Sequence, residues 1–326
     1  MCEFVQTIIS FCESVVMCCS EWGMWNPWIG SVPNLEELNY NVIGPVTDCT
    51  LNKVYRCVKA DVDQSMVFIK EIFMPDGYNT AVQTSISAKT SFFRFHGHPN
   101  IIRELRSFRR GNYMYIVYEY FSVDLSNFIS FPKIQRDPQT RLILQQILSA
   151  VKHCHSYDII LGDIKPKYIQ INFTARLIKL ADFGFAGAYG DPWASYPIKP
   201  SQYSAPELLF RTRQHSKAAD MWSVGCIFGE LVIGKPVFQG TTTREQLVSI
   251  FRLLGTPTEE SWPGVSRKCR TISCFPKYQP QNLAENFPGL EPAGIDLLSK
   301  MLCLDPRERI SAEDALEHGY FNFNQN

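Results

Sequence analysis

The sequence lacks an excess of charge of either sign. Its 326 residues include 32 Lys and Arg and 32 Asp and Glu, so the formal net charge at pH 7 is zero. A protein that attracts nucleic acid over long distances carries a net positive field, and this chain has none. We therefore expect no nucleic-acid partner, and any recognition based on charge must be local.

The sequence also lacks a clear signal peptide or membrane span. The apolar stretch from Phe4 to Cys19 is about 16 residues long, contains Gln6 and Glu13, and has no positively charged flank. A transmembrane helix needs about 20 predominantly apolar residues. We predict neither secretion nor a membrane span.

Cysteine pairs at metal-binding spacing are missing as well. The eleven cysteines show no repeating pair spacing, and Cys269 with Cys274 has no second pair to complete a tetrahedral zinc site. Unpaired cysteines are typical of a reducing compartment, so we predict free thiols in an intracellular protein of the cytoplasm, the nucleus or both. His153 and His155, on either side of Cys154, are interpreted as packing residues and not as metal ligands.

Residues 1–38 are predicted to form an acidic, tryptophan-rich extension. No Lys or Arg precedes Lys53, so the first 52 residues carry a charge of −6 and the rest carry +6. Three of the six tryptophans fall between positions 22 and 28. Two interpretations stay open: the extension docks on the protein's own surface, or it binds a partner or a lipid surface, with Cys18 or Cys19 acylated.

The pattern of apolar residues changes near residue 121. Before that point, short apolar runs rich in Val, Ile and Tyr predict strands of a mostly antiparallel sheet, with one helix over 81–95. After it, long helical patterns dominate. We predict an α+β, bilobal fold, with a small β lobe (39–121) and a larger helical lobe (122–323). The predicted strands are 53–58, 66–72, 113–120 and 177–180, and the predicted helices are 137–155, 218–231, 243–254 and 294–302.

Several short motifs occur in a fixed order. Asp182-Phe183-Gly184 follows a strand-like segment, and Ala205-Pro206-Glu207 begins 23 residues after Asp182. Asp163-Ile164-Lys165-Pro166 begins 19 residues before Asp182, Lys70 ends a Val-Phe-Ile-Lys run, and Asp220 opens an Asp-Met-Trp-Ser segment. This ordered set resembles the protein-kinase signature set. Further details in 253–265 and 293–310 resemble the cyclin-dependent kinases of the CMGC group, and the resemblance covers about residues 40–323.

The resemblance implies ATP and Mg²⁺ as cofactors and gives roles to four retained residues. Asp163 stands at the place of the catalytic base, and Lys165 at that of the cation which follows the transferred phosphate. Asp182 stands at the place of the principal magnesium ligand, and Lys70 at that of the lysine which holds the α- and β-phosphates.

The resemblance also implies an adenine pocket. Backbone groups of Glu119 and Phe121 are expected to face adenine, and Asp124 to lie near the ribose. Gln170 departs from the family, because it stands at a normally apolar position beneath the adenine ring. We therefore expect the binding of ATP and Mg²⁺ to be weak or absent. The expected pocket residues are Val46, Val54, Glu119, Phe121 and Asp124.

Other positions of the phosphate site are changed. Tyr168 replaces an asparagine that ligates the second magnesium, and a phenol is a poor ligand for Mg²⁺ at neutral pH. Lys89 aligns with the helix glutamate that pairs with Lys70, and residues 77–103 contain no Asp or Glu. The glycines of the phosphate loop provide close backbone approach because they lack a Cβ; they align with Thr47, Cys49 and Asn52.

Regulatory positions are replaced too. In the family, three arginines capture an activation-segment phosphothreonine. The arginines align here with Gly162, Gly187 and Ala88, and the threonine aligns with Pro197. Residues 83–89 replace the helix that contacts cyclin. Neither this phosphorylation switch nor cyclin binding of the usual kind is therefore expected.

Residues that hold the family's scaffold are retained. Asp220 is expected to hold the backbone of the catalytic loop, and Glu207 to pair with Arg309. The sequence therefore favours a pseudokinase that presents surfaces to a protein partner of unknown identity. Two alternatives stay open: a working serine/threonine kinase that uses the four retained residues, and a decaying gene copy without a selected role.

Overall fold

The computed structural model describes most of the chain. Among the described residues, no helix is long and apolar enough to cross a membrane. The interpretations of residues 1–34, and of most of the predicted helix over 81–95, fall on residues outside those described. The described residues are 35, 39–46, 52–60, 64–74, 92–121, 123–130, 137–172, 175–181, 201–210 and 216–322.

Five strands form the sheet of the smaller lobe. Their order is β1-β2-β3-β5-β4, and every neighbouring pair is antiparallel. Valine, isoleucine and tyrosine recur in these strands, as is typical of residues on a pleated and partly buried surface. The strands are β1 (Tyr40–Pro45), β2 (Asn52–Lys59), β3 (Met66–Phe73), β4 (Glu104–Arg110) and β5 (Tyr113–Glu119).

Alternation along the strands gives this sheet two apolar faces. The outer face is completed by Leu35, which is fully buried and accepts a hydrogen bond from the Tyr40 N–H at 2.9 Å. The inner face meets the larger lobe, because Tyr168 and Ala181 of that lobe belong to its apolar cluster. We call this set the inner-face cluster; it comprises Val54, Phe68, Ile72, Met74, Ile102, Ile116, Tyr118, Tyr168 and Ala181.

The larger lobe is mainly helical. A small sheet of order β6-β7-β8 lies at its junction with the smaller lobe. Its strands are β6 (Val123–Asp124), β7 (Ile169–Asn172) and β8 (Leu177–Leu180). The described helices are α1 (Leu125–Ile129), α2 (Asp137–Ser156), α3 (Pro206–Leu209), α4 (Lys217–Ile233), α5 (Thr243–Leu254), α6 (Val265–Lys268), α7 (Leu283–Asn286), α8 (Pro292–Met301) and α9 (Ala312–Leu316), with 3₁₀ turns at Pro166–Tyr168, Ile272–Cys274 and Gly319–Phe321.

Helix α4 is the centre of the larger lobe. It is apolar on nearly all sides, as expected of a helix surrounded by other elements. The Ser216 side chain caps its first turn by accepting from the Ala219 N–H at 3.1 Å, and Gly234 ends it with φ of 76°. Trp222 of this helix stacks on Phe238 with ring centroids 5.6 Å apart.

A buried ion pair joins two distant parts of the larger lobe. Arg309 donates from both terminal nitrogens to Glu207, at 2.8 and 3.1 Å. The same guanidinium donates to the Cys303 carbonyl at 3.0 Å and to the Ala218 carbonyl at 2.6 Å. The predicted pairing of Glu207 with Arg309 is confirmed.

The predicted α+β, bilobal fold is confirmed. The strands expected over 53–58, 66–72 and 177–180 appear within one residue of the predicted ends, because their apolar runs are short and bounded. The helix expected over 243–254 has the predicted bounds, and its start carries a reciprocal cap between Thr242 and Glu245.

Candidate active site

The loop between α2 and β7 is held by one buried carboxylate. Asp220 accepts hydrogen bonds from the Leu161 N–H at 2.9 Å and from the Gly162 N–H at 2.7 Å. The His155 Nε2 lies 2.8 Å from the same carboxylate. A carboxylate with this many donors makes charge-assisted hydrogen bonds and fixes the backbone that precedes Asp163. The predicted role of Asp220 is confirmed.

Gly162 has a backbone conformation that a side chain resists. Its φ is 81°, in the left-handed region that L-residues rarely adopt. Position 162 is one of the three that align with the arginines of the family's phosphothreonine site. Glycine therefore suits the backbone at this position.

Asp163 and Lys165 lie together in this loop. The Lys165 Nζ is 2.8 Å from the Asp163 Oδ2. Burial alone lowers the pKa of Lys165, but the attraction of Asp163 outweighs it and holds the pKa above its ordinary value. The two residues therefore form a close ion pair in this loop.

Tyr168 turns away from solvent and towards the smaller lobe. Its side chain is 6% exposed and belongs to the inner-face cluster. The Lys165 Nζ lies 4.2 Å from the centre of its ring, within the range of a cation–π contact. Position 168, which the sequence aligns with a magnesium ligand, thus carries an aromatic ring that packs in the inner-face cluster.

Lys70 points into the cleft from β3. It lies opposite Val54 on β2 and Ile116 on β5, and only 2% of it is exposed. Its neighbour Glu71 faces the other side of the sheet, where it lies beside Tyr115. Burial raises the pKa of Glu71, while Tyr115 and Lys53 act in the opposite direction. As the alternation of the strand predicts, Glu71 does not face the cleft with Lys70.

The segment that connects the lobes is fixed to β8. The Lys179 Nζ lies 2.6 Å from the Glu119 Oε1, and the same oxygen accepts from the Arg103 N–H at 2.7 Å. The Lys179 Nζ also lies 5.8 Å from the centre of the Phe121 ring. Glu119 and Phe121 therefore lie in the segment between the lobes, where both contact Lys179, a partner that the sequence did not indicate.

The two polar residues predicted near the nucleotide have local partners. The Asp124 carboxylate caps α1: it accepts from the Asn127 N–H at 3.0 Å, from the Asn127 side chain at 3.1 Å and from the Ser126 hydroxyl. Gln170, only 3% exposed, donates its side-chain amide to the Lys167 carbonyl at 3.3 Å. Asp124 and Gln170 pair across β6 and β7, so the two residues lie on neighbouring strands at the floor of the cleft.

Two aromatic residues of the cleft were missed by the sequence analysis. Phe68 lies on the inner face of β3 and is 3% exposed. Its ring centre is 4.9 Å from that of Tyr120, in the segment that connects the lobes. The signal was present, because Phe68 occupies the second position of Val-Phe-Ile-Lys, where the signature set has alanine.

The two valines of the predicted pocket lie in or against the inner-face cluster, and several other site residues lie outside the described part of the chain. Val54 is fully buried in the inner-face cluster, and Val46 packs against it with its N–H bonded to the Val54 carbonyl at 2.7 Å. The predicted metal ligand Asp182 lies outside the described residues, as do other changed positions of the phosphate and regulatory sites: Thr47, Cys49, Ala88, Lys89, Gly187 and Pro197.

The histidines beside Cys154 make packing contacts. His153 stacks on His98 with ring centres 4.9 Å apart, while His155 binds Asp220. Burial, and to a smaller extent His153, lower the pKa of His98. Within the described part of the chain, no group of three or more His, Cys, Asp or Glu residues could hold a metal ion.

A protein kinase domain implies ATP and Mg²⁺, and the described residues fit these groups only in part. The Asp163–Lys165 pair and the cleft-facing Lys70 suit a phosphoryl-transfer site. Tyr168 does not suit it, because a buried phenol offers a hard cation no charged or amide oxygen.

The comparison with known families agrees with this arrangement. A family model described as the protein kinase domain matches residues 40–321, well over half of the chain. The matched region contains both lobes, the loop that carries Asp163 and the buried pair of the larger lobe. The chain belongs to the protein kinase family.

Proposed function

We propose that this chain is a pseudokinase of the cyclin-dependent-kinase-like type within the CMGC group. It acts by presenting binding surfaces to a protein partner, with phosphate transfer absent or vestigial. The observation that carries this proposal is the burial of Tyr168 among the apolar side chains of the cleft, at the position of a magnesium ligand.

The contrast between scaffold and site supports the proposal. The groups that hold the fold are retained with short contacts, such as the 2.8 Å bond between Arg309 and Glu207. Phosphoryl transfer depends on positioning and charge neutralisation by metal ions, and these are the functions that the changed residues affect. A kinase fold that keeps its framework while the positions for the metal and for the nucleotide base are altered is suited to binding and not to turnover.

A second candidate is an active serine/threonine kinase with Asp163 as catalytic base. The retention of Asp163 and Lys165, which lie 2.8 Å apart in the same loop, supports it. Under this alternative, Asp182 provides the metal contact and Lys70 the phosphate contact without a second magnesium ligand at position 168.

Two assays separate the candidates. One is a thermal-shift titration with ATP, with and without Mg²⁺, and the other measures phosphate transfer to a generic protein substrate. The pseudokinase proposal predicts no metal-dependent stabilisation and no transfer above that of the Asp163→Asn variant. Transfer by the wild type that Asp163→Asn abolishes would establish the active kinase instead.

The double variant Lys89→Glu with Tyr168→Asn tests the alignment behind the proposal. It restores a carboxylate for Lys70 and an amide ligand for the metal, so we expect it to gain Mg²⁺-dependent stabilisation by inorganic triphosphate, which carries no base. Each single variant is the matched control. No gain in the double variant would show that other changes in the cleft dominate.

The partner and the location of the protein are part of the same proposal. We propose a protein partner, no nucleic acid, no cyclin of the usual kind, and an intracellular site of action in the cytoplasm or the nucleus. The division into an extension (1–38), a smaller lobe (39–121) and a larger lobe (122–323) makes the extension a candidate docking segment. Deletion of residues 1–38 tests this: a much lower melting temperature would show that the extension stabilises the fold, and loss of partner capture without that change would show docking.

A further inference from the structure

Phe68 is placed by the register of the sheet at the base-binding end of the cleft. It lies opposite Arg56 on β2 and Tyr118 on β5, and two residues before Lys70 on the same face of β3. Lys70 marks the phosphate end of the site, and the segment through Tyr120 marks the adenine end. Phe68 therefore lies between them, beside the predicted pocket residue Val54 in the inner-face cluster.

Aromatic side chains from three parts of the chain fill this region. Phe68 comes from β3, Tyr120 from the segment between the lobes and Tyr168 from the loop that carries Asp163. Phe68 and Tyr120 have ring centres 4.9 Å apart at 45°. Both Phe68 and Tyr168 are less than a tenth exposed. The Phe68 ring in contact with Tyr120 takes up space on the inner face that a further flat ring would need, because protein interiors are closely packed.

Tyr120 is held in this arrangement by a second contact. Its pKa is raised by burial, while the guanidinium of Arg56 beside it acts in the opposite direction. Arg56 and Phe68 are direct partners across β2 and β3, so the two residues that contact Tyr120 are adjacent on the sheet. Tyr120 therefore meets two side chains, those of Arg56 and Phe68, that are direct partners on the sheet.

We infer that Phe68 is the specificity-determining residue of the cleft, because its ring occupies the volume of the nucleotide base and excludes adenine whether or not phosphate ligands are present. The inference rests on the proposed function, since it explains by which residue a pseudokinase cleft rejects nucleotides. It goes beyond that proposal because it adds a steric barrier at the base to the changes at the metal position. Removal of the ring opens an apolar pocket for a flat heteroaromatic ligand, as vacated aromatic cavities do.

Adenosine is the probe, because it has neither phosphate nor a need for magnesium. We expect wild-type protein to show no change in melting temperature up to millimolar adenosine. The Phe68→Ala variant is expected to be stabilised by several degrees, with at least tenfold tighter binding and no dependence on Mg²⁺. Phe73→Ala is the matched control: Phe73 is on the same strand, partly exposed and in ring contact with Tyr113 at 5.2 Å, and its removal is expected to leave adenosine binding undetected.

Phe68→Val retains more of the side chain and decides the outcome if Phe68→Ala fails to melt cooperatively. A folded Phe68 variant with no gain in adenosine binding would overturn the inference, and so would wild-type protein that binds adenosine as tightly as the variant. Failure of the proposed function is a different result, namely phosphate transfer by the wild type from Mg-ATP. The absence of both transfer by the wild type and adenosine binding by the variants would overturn this inference alone.

Discussion

Glu207→Gln removes one charge from a buried ion pair while it keeps the shape of the side chain. The guanidinium of Arg309 is then left without its counter-charge, although its bonds to backbone carbonyls remain. The Arg309 side chain is fully buried and that of Glu207 is 6% exposed, so water cannot replace the missing carboxylate. Breaking a buried pair by removal of one partner costs about 3–5 kcal/mol. At about 2–4 °C per kcal/mol, we expect the melting temperature to fall by about 6–20 °C.

The assay is thermal unfolding, followed by circular dichroism at several heating rates. Glu313→Gln is the matched control, because Glu313 pairs with Lys152 at 3.0 Å on the surface, where both side chains are largely exposed. A surface pair contributes at most about 1 kcal/mol, so this variant is expected to melt within about 4 °C of the wild type. Equal shifts for the two variants would refute the conclusion that the buried pair holds the larger lobe together.

Three further predictions concern the site and its surroundings. Asp220→Asn weakens charge-assisted bonds worth about 1.5–3 kcal/mol, so the Leu161 and Gly162 amides are expected to exchange with deuterium at least about tenfold faster; unchanged exchange would contradict the role given to Asp220. Gly162→Ala places a Cβ at φ of 81° and is expected to cost about 1–3 kcal/mol in denaturant unfolding, whereas Gly319→Ala, with no atom within 4 Å of the new Cβ, is expected to cost less. Burial raises the pKa of Glu230 in the folded state. The folded state therefore favours the protonated side chain, and this contribution to stability is complete below the unfolded-state pKa of about 4.3. The contribution is lost as the pH rises through the higher folded-state pKa. Glu230→Gln is therefore expected to melt above the wild type at pH 7 and to lose this advantage near pH 4; an advantage that does not vary with pH would contradict the reasoning.

The sequence predicted the scaffold because its key residues act through types and spacings that a motif records. Asp220 and the pair of Glu207 with Arg309 were expected from the ordered set of motifs, and the structure shows their contacts at 2.7–3.1 Å. The elements were predicted because short bounded apolar runs indicate strands and longer periodic patterns indicate helices. The same signals cannot show which side chains from distant segments of the chain pack against one another.

The filling of the cleft illustrates that limit. Tyr168 was identified as a lost metal ligand, but its packing against the smaller lobe depends on the contact between lobes. Phe68 looks like an ordinary strand residue until the register places it on the inner face, and its contact with Tyr120 spans 52 positions in the chain. Lys179 was missed for the same reason, since it meets Glu119 across 60 positions.

Calorimetric titration of wild-type protein with Mg-ATP tests the central claim most directly. The claim is that the cleft of this kinase-family chain is closed to nucleotides by its own side chains. The account predicts no saturable heat of binding at millimolar Mg-ATP. A saturable one-to-one binding curve with a micromolar dissociation constant would contradict it.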